Sequence, residues 1–341
     1  MSEDTLREFP ERESSPTALV YSLTCTPDLA LCFAARTDGL LISVDGGHNW
    51  EPAYAGLDLD GPLPTTSLVF SPDLTRERTL IAGVSGGVVY SIDGGKTWQP
   101  VALASPPPTV SALVISPNFI ADGIVLAGTM EDGVFRSTDR GSRWSAWNFG
   151  LLDLNVLCLA ISPDFARDET LYAGVDTGIF RSTNGGRAWR EVELPFGYDP
   201  VLSLKLAPDY AQDADDAGGV IFAGTESQGL WRSTDRGQTW NRVGADVISG
   251  PVNAIVLAPE FGMPMRRSTR KIARSLLVMA DDTLYFSHDG GETWEADSIT
   301  LAGMTAVAAP QGFAAPLLVG LENGEIIYVM PPLQQEQSER R

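Results

Sequence analysis

The chain has 341 residues, 43% of them hydrophobic and 20% charged, with 24 Lys+Arg against 44 Asp+Glu for a formal net charge of −20. That apolar content supports a packed core and excludes wholesale disorder, while a polyanion-repelling field excludes a general binder of nucleic acid or anionic membrane. No run approaches the 18 or more consecutive apolar residues of a membrane-spanning helix, and the acidic start MSEDTLREFPERESSP lacks a basic–apolar secretory pattern, so a cytoplasmic protein without membrane insertion is expected. Cys25, Cys32 and Cys158 form an odd set without CxxC spacing, which reads as reduced thiols, with no metal site and no cofactor expected. His48 and His288 are the only histidines, too few for HExxH zinc chemistry.

In chain order, residues 1–16 form an N-terminal segment and a repetitive unit fills 17–331. Strand-like runs begin near Ala18, Thr66, Val110, Val156, Val201, Val252 and Thr305. Each is followed by a second run such as IVLAGT (124–129), a Gly-containing turn and a third run such as VFRS (134–137). Six of these units then close on an octet of the form Ser-x-Asp-x-Gly-x-Thr-Trp: SVDGGHNW, SIDGGKTW, STDRGSRW, STNGGRAW, STDRGQTW and SHDGGETW. Their acidic or amide positions are Asp45, Asp93, Asp139, Asn184, Asp235 and Asp289. The closing tryptophans are Trp50, Trp98, Trp144, Trp189, Trp240 and Trp294, spaced 48, 46, 45, 51 and 54 residues apart.

Short β-branched runs punctuated by Gly, Pro and Asp, four to a unit of this length, specify propeller blades. The expected fold is all-β, a seven-bladed β-propeller of four-stranded antiparallel blades; the alternative is six blades with 304–341 as an appendage. The octet belongs on the turn between third and fourth strands, where the Asp accepts backbone N–H groups, the Gly takes positive φ and the Trp covers the hairpin. The seventh unit stops before any octet, so a strand from residues 5–11 would complete it. The tail 332–341 reads as disordered.

The octets resemble Asp boxes, or BNR repeats, over nearly the whole chain. The full repeat SPDFARDETLYAGVDTGIFRSTNGGRAW is most similar to photosystem II stability/assembly-factor-like and unclassified bacterial BNR proteins. The departures (Asn184 and Ala188 in the fourth box, Asn49 in the first, Arg143 in the third) are expected to weaken individual turns. The resemblance also reaches sialidases and xyloglucan-cleaving glycosidases. A sialidase needs channel arginines, yet no innermost run holds one and Lys205 is the sole charge there. The xyloglucanases use a cleft between two propellers, which one propeller cannot form. No catalytic residue is therefore assigned.

Binding residues fall on loops. One rim collects Asp38, Glu131, Asp132, Asp176, Glu226, Asp281, Asp282 and Glu322, opposed by Arg36. Two blade-to-blade loops on that face contribute Trp147, Phe149, Phe196 and Tyr198 as candidate aromatic anchors for a protein partner. On the box face, Arg266, Arg267, Arg270, Lys271 and Arg274 crowd a long loop, and the preceding blade answers with Asp209, Asp213, Asp215 and Asp216. These loops either pair with each other or dock an acidic partner, the one place where nucleic acid could make a local contact. Arg136, Arg181 and Arg232 each precede a box serine, their stems expected to lie over the hairpin. The expected function is a non-enzymatic protein-recognition or assembly scaffold; the alternative is a carbohydrate-active propeller, hydrolase or glycan-binding.

Overall fold

A computed structural model of the chain describes residues 18–54, 56–211, 219–262, 274–295 and 299–332. Seven antiparallel sheets follow one another, each with its strands in chain order, six of four strands and one of three among the described residues. Blade 1 runs Val20–Cys25, Cys32–Arg36, Gly39–Ser43 and Glu51–Pro52. Blade 7 runs Met304–Ala308, Leu317–Leu321 and Ile326–Val329. The expected closing strand, residues 5–11, and the tail from 333 lie outside the described residues.

The innermost strands are Val20–Cys25, Thr65–Phe70, Val110–Ile115, Val156–Ile161, Val201–Leu206, Val252–Leu257 and Met304–Ala308. Each packs on the next, and the last packs on the first. That closure removes the six-blade alternative, because blade 7 occupies the gap between blades 6 and 1. A bulge interrupts the start of every innermost strand and adds the local twist that fans the blades. Spacing between blades depends on small residues in second strands. A Cβ on Gly320 would lie 2.5 Å from the Val20 side chain of blade 1, and one on Gly224 would lie 2.4 Å from Val252. These glycines exist so that a neighbouring valine can seat against bare backbone.

The core is a set of inter-blade clusters. Leu126, Leu159, Phe165, Leu171 and Trp189 form one, and Leu277, Phe286, Phe313, Leu317 and Val319 another. The Phe of the Ser-Pro-Asn/Asp-Phe turns, Phe119 and Phe165, is fully buried at the start of one-turn helices.

The box in blade 2 shows how the octet folds. Asp93 Oδ1 accepts the backbone N–H of Lys96 and Thr97, both at 3.0 Å, and the Ser91 hydroxyl at 2.8 Å, while the Thr97 hydroxyl donates to Oδ2 at 2.7 Å. Ser91 Oγ in turn accepts Gly95 N–H at 2.9 Å. The departures do not weaken the turns as expected. Asn49 and Arg143 replace the Thr hydroxyl with their own donors, at 2.6 and 2.7 Å from the second carboxylate oxygen. In blade 4, Ala188 donates its backbone N–H to Asn184 Oδ1 at 2.9 Å but has no side-chain donor, and Asn184 correspondingly has no second carboxylate oxygen to satisfy.

The reading of all three cysteines as free thiols is corrected. Cys25 and Cys32 end and begin adjacent strands, are paired in register with Cα atoms 4.1 Å apart, and form a disulfide across a short hairpin. Cys158 is free.

Candidate functional site

The chain order of each sheet divides the loops between two faces. Turns between second and third strands share one face with the blade-to-blade connections; the boxes and the loops between first and second strands share the other.

On the turn face, blade 4 and its flanking connections present an apolar surface. Phe149, Leu152 and Tyr198 are 80%, 80% and 78% exposed. Leu152, Leu154, Phe180 and Tyr198 line a groove of about 490 Å³ together with Asp153, Asp176, Thr177 and Glu191. The other two expected anchors are occupied elsewhere. Phe196 stacks on Trp231 with ring centroids 4.6 Å apart. The Trp147 ring meets the guanidinium of Arg136 at 4.2 Å and that of Arg187 at 5.5 Å, while its carbonyl accepts Trp189 Nε1 at 2.8 Å. Leu152 and Leu154, which were not among the expected anchors, line the groove instead.

Part of the acidic rim is committed to holding turns. Arg36 grips both oxygens of Asp38 at 2.8 and 2.6 Å. Asn155 Nδ2 donates to Asp176, and Asp282 accepts Gly303 and Met304 N–H at 2.8 and 3.3 Å. Glu131, Asp132, Glu226 and Glu322 have no side-chain partner among the described residues and face solvent. Sequence reading missed a second repeated clamp. Asp153 accepts the Thr177 N–H and hydroxyl at 3.0 and 2.9 Å, and Asp199 accepts those of Ser227 at 2.9 and 2.7 Å. Its signal was an Asp two or three residues before an innermost strand. Hydrogen bonds from Ser227 and Gln228 outweigh burial and hold Asp199 below the usual carboxylate range.

On the box face, the arginine row bridges blades. Arg181 Nη1 donates to Arg236 O at 3.3 Å and Arg232 Nη1 to Gly290 O at 2.7 Å, the same box position of the following blade. Arg232 also pairs with Glu292 at 2.6 Å. Arg136 is only 7% exposed and makes no ion pair among the described residues; its guanidinium stacks on Trp147. Of the basic loop, Arg274 is described, while Arg266, Arg267, Arg270 and Lys271 lie outside the described residues, as do Asp213, Asp215 and Asp216. Burial pushes the Asp209 carboxyl up against the opposing charge of Arg274, so the roots of the two loops do adjoin.

Ser275 Oγ, His288 and Glu295 form a chain, with Oγ 2.6 Å from Nδ1 and Nε2 2.9 Å from the carboxylate. Ser275 is 1% exposed, so its hydroxyl cannot meet a substrate. No group of three or more His, Cys, Asp or Glu poised to hold a metal occurs among the described residues, and no helix there is long and apolar enough to cross a membrane.

A BNR/Asp-box repeat family model matches residues 89–100 and 285–296, the second and sixth boxes. No curated protein matches the sequence. Among solved structures, the extracellular domain of BT4673 from B. thetaiotaomicron is 14% identical with a TM-score of 0.67, covering 92% of this chain and 38% of that one. The GH74 enzyme of Niastella koreensis is 15% identical at a TM-score of 0.69, covering 91% and 52%. This chain thus spans about half or less of those two. YCF48 bound to D1 peptide is 14% identical at a TM-score of 0.63, covering 95% and 99%, and YCF48 from Cyanidioschyzon merolae is also similar. The six boxes, the ring closure of seven sheets and these likenesses agree on the fold: the chain is a seven-bladed β-propeller that carries BNR/Asp-box repeats.

Proposed function

We propose that the chain is a non-enzymatic protein-recognition scaffold whose turn face, around blade 4, holds an exposed segment of a partner protein. One observation carries this reading: Phe149, Leu152 and Tyr198 stand almost fully in solvent beside a groove flanked by carboxylates. Large apolar side chains clustered in this way mark association surfaces. The flanking acids select a partner segment that combines an apolar side chain with Lys or Arg. The rigid ring contributes preorganisation, so little ordering entropy opposes binding. Support of a weaker kind comes from YCF48, a propeller of matching extent that has been solved with a peptide bound.

A carbohydrate-binding reading is favoured by Tyr198 beside Asp153 and Glu191 in the same groove and by the GH74 likeness. Hydrolysis fits poorly, because a glycosidase pairs a proton-donating acid with a second carboxylate, whereas Asp153 and Asp176 accept hydrogen bonds from their own turns.

The test is calorimetric titration with a panel of peptides alternating Leu or Phe with Lys or Arg, run beside a glycan array. Micromolar peptide binding that weakens with salt and is lost in the Phe149→Ser/Leu152→Ser/Tyr198→Ser variant supports the scaffold. A defined glycan ligand without peptide binding overturns it.

A further inference from the structure

Lys205 is the one charged side chain on any innermost strand. The register of the seven inner pairs places it level with Thr24, Val69, Val114, Ala160, Val256 and Ala308, a collar that is apolar apart from one hydroxyl. Among these seven, Lys205 alone is exposed. An innermost strand is covered by its own blade on one edge, so solvent reaches it through the central channel. The amine has neither ion pair nor hydrogen bond among the described residues. In a chain with 44 acidic residues this isolation is unusual. It follows from placement: the strands packed against Val201–Leu206 carry no carboxylate, and their titratable side chains are Cys158 and Tyr172. The Cys158 thiol donates to Val201 O at 3.3 Å, and Tyr172 is tied to Tyr210 at 2.9 Å.

We propose that Lys205 is a carbonyl-capturing amine, taking a small unhindered aldehyde that enters the channel. The amine lone pair attacks the carbonyl carbon, the π pair moves to oxygen, and a proton passes from nitrogen to oxygen to give the carbinolamine. Hydroxide then leaves the carbinolamine carbon and the second nitrogen proton joins it as water, which leaves the imine, so no oxidant or reductant takes part. Desolvation favours the uncharged amine and lowers its pKa from the usual lysine value, even though the side chain is open to solvent. An amine in an apolar collar without a counter-ion is the arrangement that makes lysine nucleophilic near neutrality. Arginine could not substitute, since it stays protonated.

The chain makes the test clean, for its lysines are Lys96, Lys205 and Lys271. The folded protein is treated briefly with propanal and cyanoborohydride from pH 6 to 10, and propylation is mapped by peptide mass spectrometry. Labelling of Lys205 at pH 7 should exceed that of exposed Lys96, because desolvation favours its uncharged amine. The rate at Lys205 should also level off at a lower pH than is usual for a lysine amine. Lys205→Arg should erase that site and leave Lys96 labelling unchanged. The proposal is overturned if Lys96 labels as fast as Lys205, or if Lys205 labels only after unfolding in guanidinium.

Discussion

The two faces of the ring use the same residue types to opposite ends. On the box face, carboxylates are saturated: Asp93 and Asp235 each accept two backbone N–H groups and two hydroxyls. On the turn face around blade 4, Glu131 and Glu226 face water, and Phe149, Leu152 and Tyr198 stand beyond the core. What repeats from blade to blade is consumed by folding. What departs from the repeat is left in solvent.

The largest effect that sharpens this contrast belongs to a box tryptophan. Trp98 is buried against Tyr54, and its Nε1 donates across the blade boundary to Ala53 O at 2.9 Å. Trp98→Ala should lose about 3–5 kcal/mol by chemical denaturation, the usual cost of an aromatic-to-Ala cavity. A loss below about 1 kcal/mol would mean that the boxes are surface ornaments and that the faces do not differ in role.

Most of that box logic was legible in the residues, because six copies of one octet report one local structure six times. Seven blades followed from counting the innermost runs. The anchors were less legible. Trp147 and Phe149 sit two residues apart in one loop, yet Trp147 is met by guanidiniums from two blades while Phe149 is bare. Only the lateral position of blade 4 decides which is which, and hydrophobicity does not encode it. The disulfide was hidden for a different reason: Cys25 and Cys32 become neighbours through strand register, which spacing alone does not specify.

A box carboxylate should have a moderate, pH-dependent effect. The Thr97 hydroxyl and N–H hold Asp93 down from 3.8 to about 2. Since the folded value lies below the unfolded one, its contribution is complete above about pH 4 and is lost as pH falls through 2. Asp93→Asn should cost about 1 kcal/mol at pH 7, screening included, and should flatten the fall in melting temperature between pH 4 and 2. An unchanged acid limb would assign acid unfolding to other groups.

Blade 4 offers a smaller effect with an internal control. Asn184→Asp alone creates a carboxylate oxygen without a donor, since Ala188 has no hydroxyl. Adding Ala188→Thr restores the arrangement of blade 2. The double variant should therefore be more stable than the two single changes predict, with a coupling of about 0.5–1 kcal/mol in a thermodynamic cycle. Additivity within error would show that the box hydroxyl and carboxylate do not cooperate.

The smallest effect on stability is the most informative about function. Phe149, Leu152 and Tyr198 bury so little surface in the ring that each change to Ser should alter stability by no more than about 0.5 kcal/mol. Leu151, next to Leu152 but only 5% exposed and part of a buried cluster, provides the contrast. Leu151→Ser should destabilise by about 2 kcal/mol or more, because it both removes packing and buries a hydroxyl. If binding of Leu/Lys-type peptides vanishes in the exposed variants at unchanged melting temperature and persists in folded Leu151→Ser, recognition resides in the side chains that the repeat left outside. If melting collapses in the exposed variants too, those rings are inter-blade core and the division between faces fails at its most exposed point.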